Sequence, residues 1–156
     1  EAHAVFIGDV PPGADQGYRR ELETLARDLG VAQRVTFAGN QPPEAVRDYL
    51  RRSTFAVNLS PPGLFDKAAL EAMAVGVPTL VASAAFDDVL GSDLRLRIPA
   101  PDDSAALAAS LRNLLSLSEI ERREIGAGLR ARVVASHSLD ALIARLVCVL
   151  NTGEPV

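Results

Sequence analysis

The sequence predicts an α/β fold, three layers deep, with a parallel sheet between two layers of helices. Two observations carry that expectation. Short strand-like runs alternate with helical stretches three times in the first half of the chain, and such alternation lays consecutive strands side by side and parallel. The strand-like runs are continuously apolar, as strands covered on both faces are. Length and composition agree: 156 residues, 48% of them hydrophobic, suffice for one domain with a core of its own. That domain is expected over residues 1–150, with a frayed tail at 151–156.

The first strand is placed at 3–8 (HAVFIG), followed by a Pro- and Gly-rich loop at 9–16. A helix over 16–29 follows, because Tyr18, Leu22, Leu25, Ala26 and Leu29 recur at helical spacing and Gly30 is a natural stop. A second strand is placed at 34–38, ended by Gly39 and Asn40. Pro43 opens a second helix with Val46, Tyr49 and Leu50 as its apolar stripe, and a third strand follows at 54–59. Next come a helix at 66–75, a Gly-Val-Pro turn and a fourth strand at 79–82. Residues 87–90 read as one helical turn. Residues 94–98 read as an edge strand, because Arg95 and Arg97 alternate with apolar neighbours. Helices fill the remainder. Asp102 and Asp103 cap one that carries Leu107, Leu111, Leu114 and Leu115. Ser118 and Glu121 form a capping box for another, to about 135, with Ile120, Ile125, Leu129 and Val133 as its stripe. Gly126 and Gly128 weaken the middle of that helix. The last helix, 139–150, carries Leu142, Ile143, Leu146 and Val147.

The chain is organised around residues 60–83, SPPGLFDKAALEAMAVGVPTLVAS. Its helix is apolar on almost every face, which belongs inside a domain. Lys67 and Glu71 alone interrupt the pattern, four residues apart and so on one face. Two readings stay open. Buried, the two charges need each other or a polar ligand. On a partly exposed edge they form an ordinary ion pair, although Lys before Glu is the less favoured order. Lys67 is the chain's only lysine among sixteen cationic residues, which points to a use for a compact ammonium there. Asp66 stands at the N-cap, and an anion at that helix start would meet N–H groups and the positive end of the dipole. In parallel sheets, ligands bind beyond the carboxyl ends of the strands. The loops there are Gly8–Asp9 onward, Gly39–Asn40–Gln41, 60–66 and 83–86.

Other chemistries find no support. Net charge is −4, with no Lys/Arg cluster dense enough for a nucleic-acid footprint. The single cysteine, Cys148, excludes an internal disulfide and a Cys-rich metal site, and it reads as a small buried thiol. No dinucleotide fingerprint, P-loop or nucleophile elbow occurs. His3 and His137 have no matching cluster, and His137 reads as a cap between helices. No signal-peptide pattern and no transmembrane segment are expected, so a reducing cytoplasm fits best.

With these residues in hand, the chain resembles the carboxy-terminal, donor-binding domain of the family 4 retaining glycosyltransferases of GT-B architecture. The similarity runs through FIGD at 6–9, YRRELETLARDLGV at 18–31, RVTFAGN at 34–40 and STFAVNLSPP at 53–62, and is most specific in LEAMAVGVPTLVAS at 70–83. It implies a Rossmann-like domain, the C-terminal half of a GT-B enzyme. Two family glutamates lie eight positions apart. The second matches Glu71 and implies hydrogen bonds to the ribose of a sugar nucleotide. The first, which meets the transferred sugar, falls on Gly63. Phe65 matches the family phenylalanine. Asp66, Lys67 and Ala68 fall where the loop and helix start approach the diphosphate. Gly39, Asn40 and Gln41 match the loop whose backbone meets the base, and Gly8 and Asp9 end the first strand here.

The resemblance also implies an earlier strand and helix, and an amino-terminal acceptor domain, that this sequence lacks. A fragment of a longer enzyme is the expectation, binding a nucleoside-diphosphate sugar as donor substrate, with no separate cofactor and no assigned catalytic residue. Membrane contact would be peripheral, through the acceptor domain. Three other readings remain: a GT-B-derived module that only binds or assembles, a sugar-nucleotide epimerase, which would need acid/base carboxylates and histidine in its cleft, and a generic flavodoxin-like domain that binds no such ligand.

Overall fold

The computed structural model describes residues 2–9 and 17–153. Residues 10–16 of the loop predicted at 9–16, and the end of the tail, lie outside the described residues. The fold is α/β with parallel strands, divided into two compact units, Glu1–Val46 and Arg47–Val156.

The first unit holds β1 (Ala4–Ile7), α1 (Gly17–Asp28) and β2 (Val35–Gly39). β1 and β2 pair in parallel, Ala4 opposite Val35 and Phe6 opposite Phe37, with a shift in register after Phe6. The two phenylalanine rings stack at 5.2 Å. Gly30 closes α1 in a left-handed conformation at φ +68°, as its place in the sequence predicts. The expected double cover of the first strand is not found. All four β1 residues are exposed, and of the predicted α1 stripe only Ala26 is buried. β2 is the one described neighbour of β1.

The boundary between the units falls inside α2 (Pro43–Arg52). The second unit continues with β3 (Ala56–Asn58), α3 (Lys67–Val75) and β4 (Thr79–Val81). It closes with α4 (Asp87–Leu90), α5 (Ser104–Ser116), α6 (Glu119–His137) and α7 (Leu139–Thr152). β3 and β4 are parallel, Ala56 opposite Thr79 and Asn58 opposite Val81. The single predicted sheet is thus two parallel pairs, one in each unit. The core lies in this unit, where Met73, Leu80, Phe86, Leu90, Leu96, Ile98 and Leu129 are fully buried. Burial of one such side chain contributes about 1.5–3 kcal/mol before entropic costs.

α3 ends at Gly76, left-handed at φ +89°, whose N–H returns to the carbonyls of Ala72 and Met73. α6 crosses at that point. A Cβ on Gly126 would lie 1.9 Å from the Gly76 carbonyl oxygen, so the backbones touch. Gly126, predicted as a weak point, is therefore the residue that permits the crossing. Arg130 and Arg132 extend the contact from the same helix. Arg130 donates to the Ala74 carbonyl, and Arg132 donates to those of Val89 and Leu90. The predicted capping box is present: Ser118 Oγ accepts from Glu121 N–H, and the Glu121 carboxylate accepts from Ser118 N–H.

The expected edge strand at 94–98 is instead a 3-10 turn over Leu94–Leu96, followed by a single bridge from Arg97 to Val81. Leu96 and Ile98 are buried while Arg97 folds back, donating to the Ala82 carbonyl and pairing with Asp87 at 3.0 Å. The alternating pattern therefore marked a crossing of the core rim rather than an extended run. The stripe of α7 is also not covered: Leu142, Ile143, Leu146 and Val147 are exposed, and the Cys148 thiol is free and only half-buried. By length and composition alone, the helical stretch Glu119–Thr152 is apolar enough to cross a membrane, with a window of mean hydropathy 1.8, only 6% of it buried. No unbroken apolar run marks this stretch in the sequence, because Asp140 and Arg145 interrupt it. Ser138, accepting from Ala141 N–H, separates its two helices.

Candidate functional site

In the second unit, β3 delivers the chain to an exposed loop that enters α3. Asn58, at the carboxyl end of β3, donates from Nδ2 to Asp66 Oδ2 at 3.0 Å. Ser60 Oγ donates to the same oxygen at 2.7 Å, while Asp66 Oδ1 accepts from Ala68 N–H at 2.9 Å. Asp66 is thus the N-cap of α3, as predicted, and also the knot that ties the loop to the strand. Hydrogen bonds from Asn58 and Ser60, then that from Ala68 N–H, hold its carboxyl below the ordinary value of 3.8. The Ala68 N–H, expected to be open to a phosphate, is taken by this carboxylate.

Lys67 and Glu71 form the i, i+4 ion pair, at 3.1 Å, with side chains 87% and 47% exposed. The buried reading of these two charges is therefore set aside in favour of the edge reading. The expectation of an all-buried helix needs the same correction. Ala69, Ala72 and Met73 turn inward, while Lys67, Ala68 and Glu71 face solvent. An ammonium on the first residue of α3 and a carboxylate one turn further in lie side by side there, at the strand end where ligands of parallel sheets bind.

Phe65 closes the loop on its apolar side. Its ring stacks on buried Phe86 at 4.6 Å and meets the ring of His137, the last residue of α6, at 5.0 Å. The predicted capping role of His137 is thus replaced by ring packing. Gly63 sits in the same loop at φ +83°, and a Cβ added there would meet nothing within 4 Å.

In the first unit, Gly8 and Gly39 meet through a bridge in which Gly8 N–H donates to Gly39 O at 2.9 Å. Asp9 lies 3.8 Å from Arg19, whose guanidinium also sits over the Phe37 ring. Asn40 is exposed, and Gln41 donates to the Ala38 carbonyl at 2.6 Å. Arg19, Asn58, Ser60 and Phe86 are not singled out by sequence reasoning. Asn58 carried a signal, a lone amide ending an apolar strand. Arg19 and Phe86 carried none apart from their partners. Among the described residues, no cluster of His, Cys, Asp and Glu is suited to a metal ion.

Comparison with known proteins places the fold in a class. Sucrose-phosphate synthase from Thermosynechococcus elongatus superposes with a TM-score of 0.80 at 26% identity, over 96% of this chain and 39% of that one. The Anabaena protein HepE, solved in complex with UDP, superposes with a TM-score of 0.85 at 20% identity, over 97% of this chain and 41% of that one. The fold is that of GT-B glycosyltransferases. A sequence profile for glycosyl transferases group 1 matches residues 1–117, and the chain belongs to that family. The D-inositol 3-phosphate glycosyltransferase of Geodermatophilus obscurus is 34% identical over 146 residues, 90% of this chain and 31% of the relative. The chain therefore spans less than a third of that relative's length.

Proposed function

We propose that the chain is the carboxy-terminal, donor-binding domain of a family 4 retaining glycosyltransferase and binds a nucleoside-diphosphate sugar. The observation that carries the proposal is the solvent-facing Lys67–Glu71 pair, Lys67 opening α3 directly after the Asp66 cap and Glu71 one turn further in. Glu71 would accept hydrogen bonds from the ribose hydroxyls. Lys67, freed from Glu71 by the ligand, would offset diphosphate charge, alongside the positive end of α3. In transfer, that charge grows as the diphosphate departs, so a cation held there favours the transition state over the ground state. Phe65 and Asp66 would fix the loop rather than react. Gly39, Asn40 and Gln41 as base contacts, and Gly8 and Asp9 beside them, rest on the sequence resemblance. The acceptor would be held by a further domain. The isolated chain would then bind donor without transferring sugar, in a cytoplasmic setting with any membrane contact peripheral.

Saturation-transfer NMR against UDP, GDP and ADP tests the proposal. One diphosphate should show contacts to its ribose protons, and these should vanish in Glu71→Ala. Ribose contacts that persist in the variant would remove Glu71 from the site.

A second reading, a module that binds without catalysing, is favoured by one observation. The position of the first family glutamate is Gly63 in a left-handed conformation, where a glutamate would be strained. Sugar transfer by a longer protein carrying both domains would refute this second reading.

A further inference from the structure

A cleft of about 410 Å³ opens at the other end of the β3–β4 pair, away from Lys67 and Glu71. Its walls include Ser53 and Thr54, which precede β3, and Val77 and Pro78, which precede β4. Its charged lining comes from two helices: Arg51 and Arg52 end α2, and Glu119, Arg122 and Arg123 begin α6. Among the lining residues four arginines face one glutamate, with Asp48 beside Arg51 just outside the lining, so the cleft stays positive in a chain whose net charge is −4. That concentration has no role in the proposed donor site.

The partners of these arginines leave much of their donor capacity unspent. Arg122 is committed to structure, its guanidinium donating to the carbonyls of Leu114 and Leu117 at the end of α5. Arg52 donates to the Asp48 carbonyl and lies over the Tyr49 ring at 5.3 Å. Arg51 stands 3.7 Å from Asp48, and Arg123 pairs with Glu119 at 2.5 Å, both on the exposed surface. A guanidinium has five N–H donors in a planar fork, suited to two oxygens of one anion. Arg51, Arg52 and Arg123 thus keep donors for a ligand while Arg122 holds the wall in place.

We infer that this cleft is a second, independent anion site, built for a phosphate group carried either by a small organic phosphate or by an acidic lipid headgroup. Its volume lies in the range of small-molecule pockets, larger than bare phosphate requires. Its position at the amino ends of the strands separates it from the proposed donor site, so either can fail without the other.

The test is titration of the full chain with inorganic phosphate at constant ionic strength, followed by amide NMR. Phosphate should shift the amides of Ser53, Thr54, Val77 and Arg123. The triple variant Arg51→Gln, Arg52→Gln, Arg123→Gln should lose about tenfold or more in affinity, with an unchanged circular dichroism spectrum. Glu119→Gln, which removes the acid of the lining and frees Arg123, should tighten binding and answers the case in which the triple variant does not fold. Glu71→Ala should leave phosphate binding intact. Cosedimentation with phosphatidylcholine vesicles, with and without phosphatidic acid, separates the sources. Retention on the acidic vesicles that is lost in the triple variant assigns a lipid headgroup, and phosphate binding without retention assigns a soluble ligand. Absence of both, or shifts unaltered in the triple variant, would overturn the inference.

Discussion

Gly126 and Gly76 meet backbone to backbone, so closely that a methyl group on Gly126 would penetrate the Gly76 carbonyl, 1.9 Å away. Gly76 also ends α3, the helix that carries Lys67 and Glu71. The crossing of α6 therefore falls at the point where α3 ends.

Gly126→Ala should accordingly lower stability by at least about 1–3 kcal/mol, the usual cost of overpacking, despite alanine's better helix propensity. Gly128→Ala is the control. Its Cβ meets only the flexible end of Arg132, at 3.4 Å, and the change should be close to neutral or stabilising. Denaturant melts of the two variants check this. Equal stabilities would mean that the helices separate at no cost.

Asp66→Ala should cost about 0.5–2 kcal/mol at neutral pH through the lost cap, and more if Asn58 and Ser60 are left without an acceptor. Asp66→Asn keeps a capping side chain and removes the charge. The folded carboxyl titrates below its ordinary 3.8, so its stabilisation is fully present above that pH and fades as pH falls through the lowered folded value. The stability gap between wild type and Asp66→Asn should therefore be constant above about pH 5 and close in acid. A gap that widens on acidification would contradict the hydrogen-bonded, ionised form.

Lys67→Met should alter stability by no more than about 0.5 kcal/mol, because an exposed i, i+4 pair contributes little. The same change should weaken diphosphate binding by about tenfold, and less at high salt. Calorimetric titration at two ionic strengths, beside a thermal melt, separates the two effects.

Gly63→Ala should cost about 1–2 kcal/mol from backbone strain alone, since its φ is +83° and nothing crowds a side chain there. Asn, which tolerates that conformation better, should recover part of the loss. Hydrogen exchange at Leu64 and Phe65 should quicken in the alanine variant and return toward wild type in the asparagine variant.

Local signals were the most legible. The capping box at Ser118 and Glu121, the Asp66 cap, the stops at Gly30 and Gly76 and the single turn at 87–90 depend on neighbouring residues, and all are present. Burial was read less well, because hydrophobicity reports the tendency to be covered and not the cover itself. Val5, Phe6, Leu142 and Leu146 have the pattern of core residues and stand exposed. Arg97 shows the opposite error, an alternating pattern produced by one side chain folding back to Ala82. At the candidate site the charged pair was visible, but its exposure was not. The ring stack of Phe65, Phe86 and His137 joins three distant segments, which no local pattern connects.

That short bridge at residue 97 has a consequence for the chain's behaviour in a crowded solution. A two-stranded pair would ordinarily offer foreign strands a row of unpaired carbonyls along β4. Here Ile98 N–H donates to the Val81 carbonyl at 2.8 Å, and the Arg97 guanidinium donates to that of Ala82. One residue of pairing and one folded arginine thus blunt that edge against templated aggregation, without a third strand.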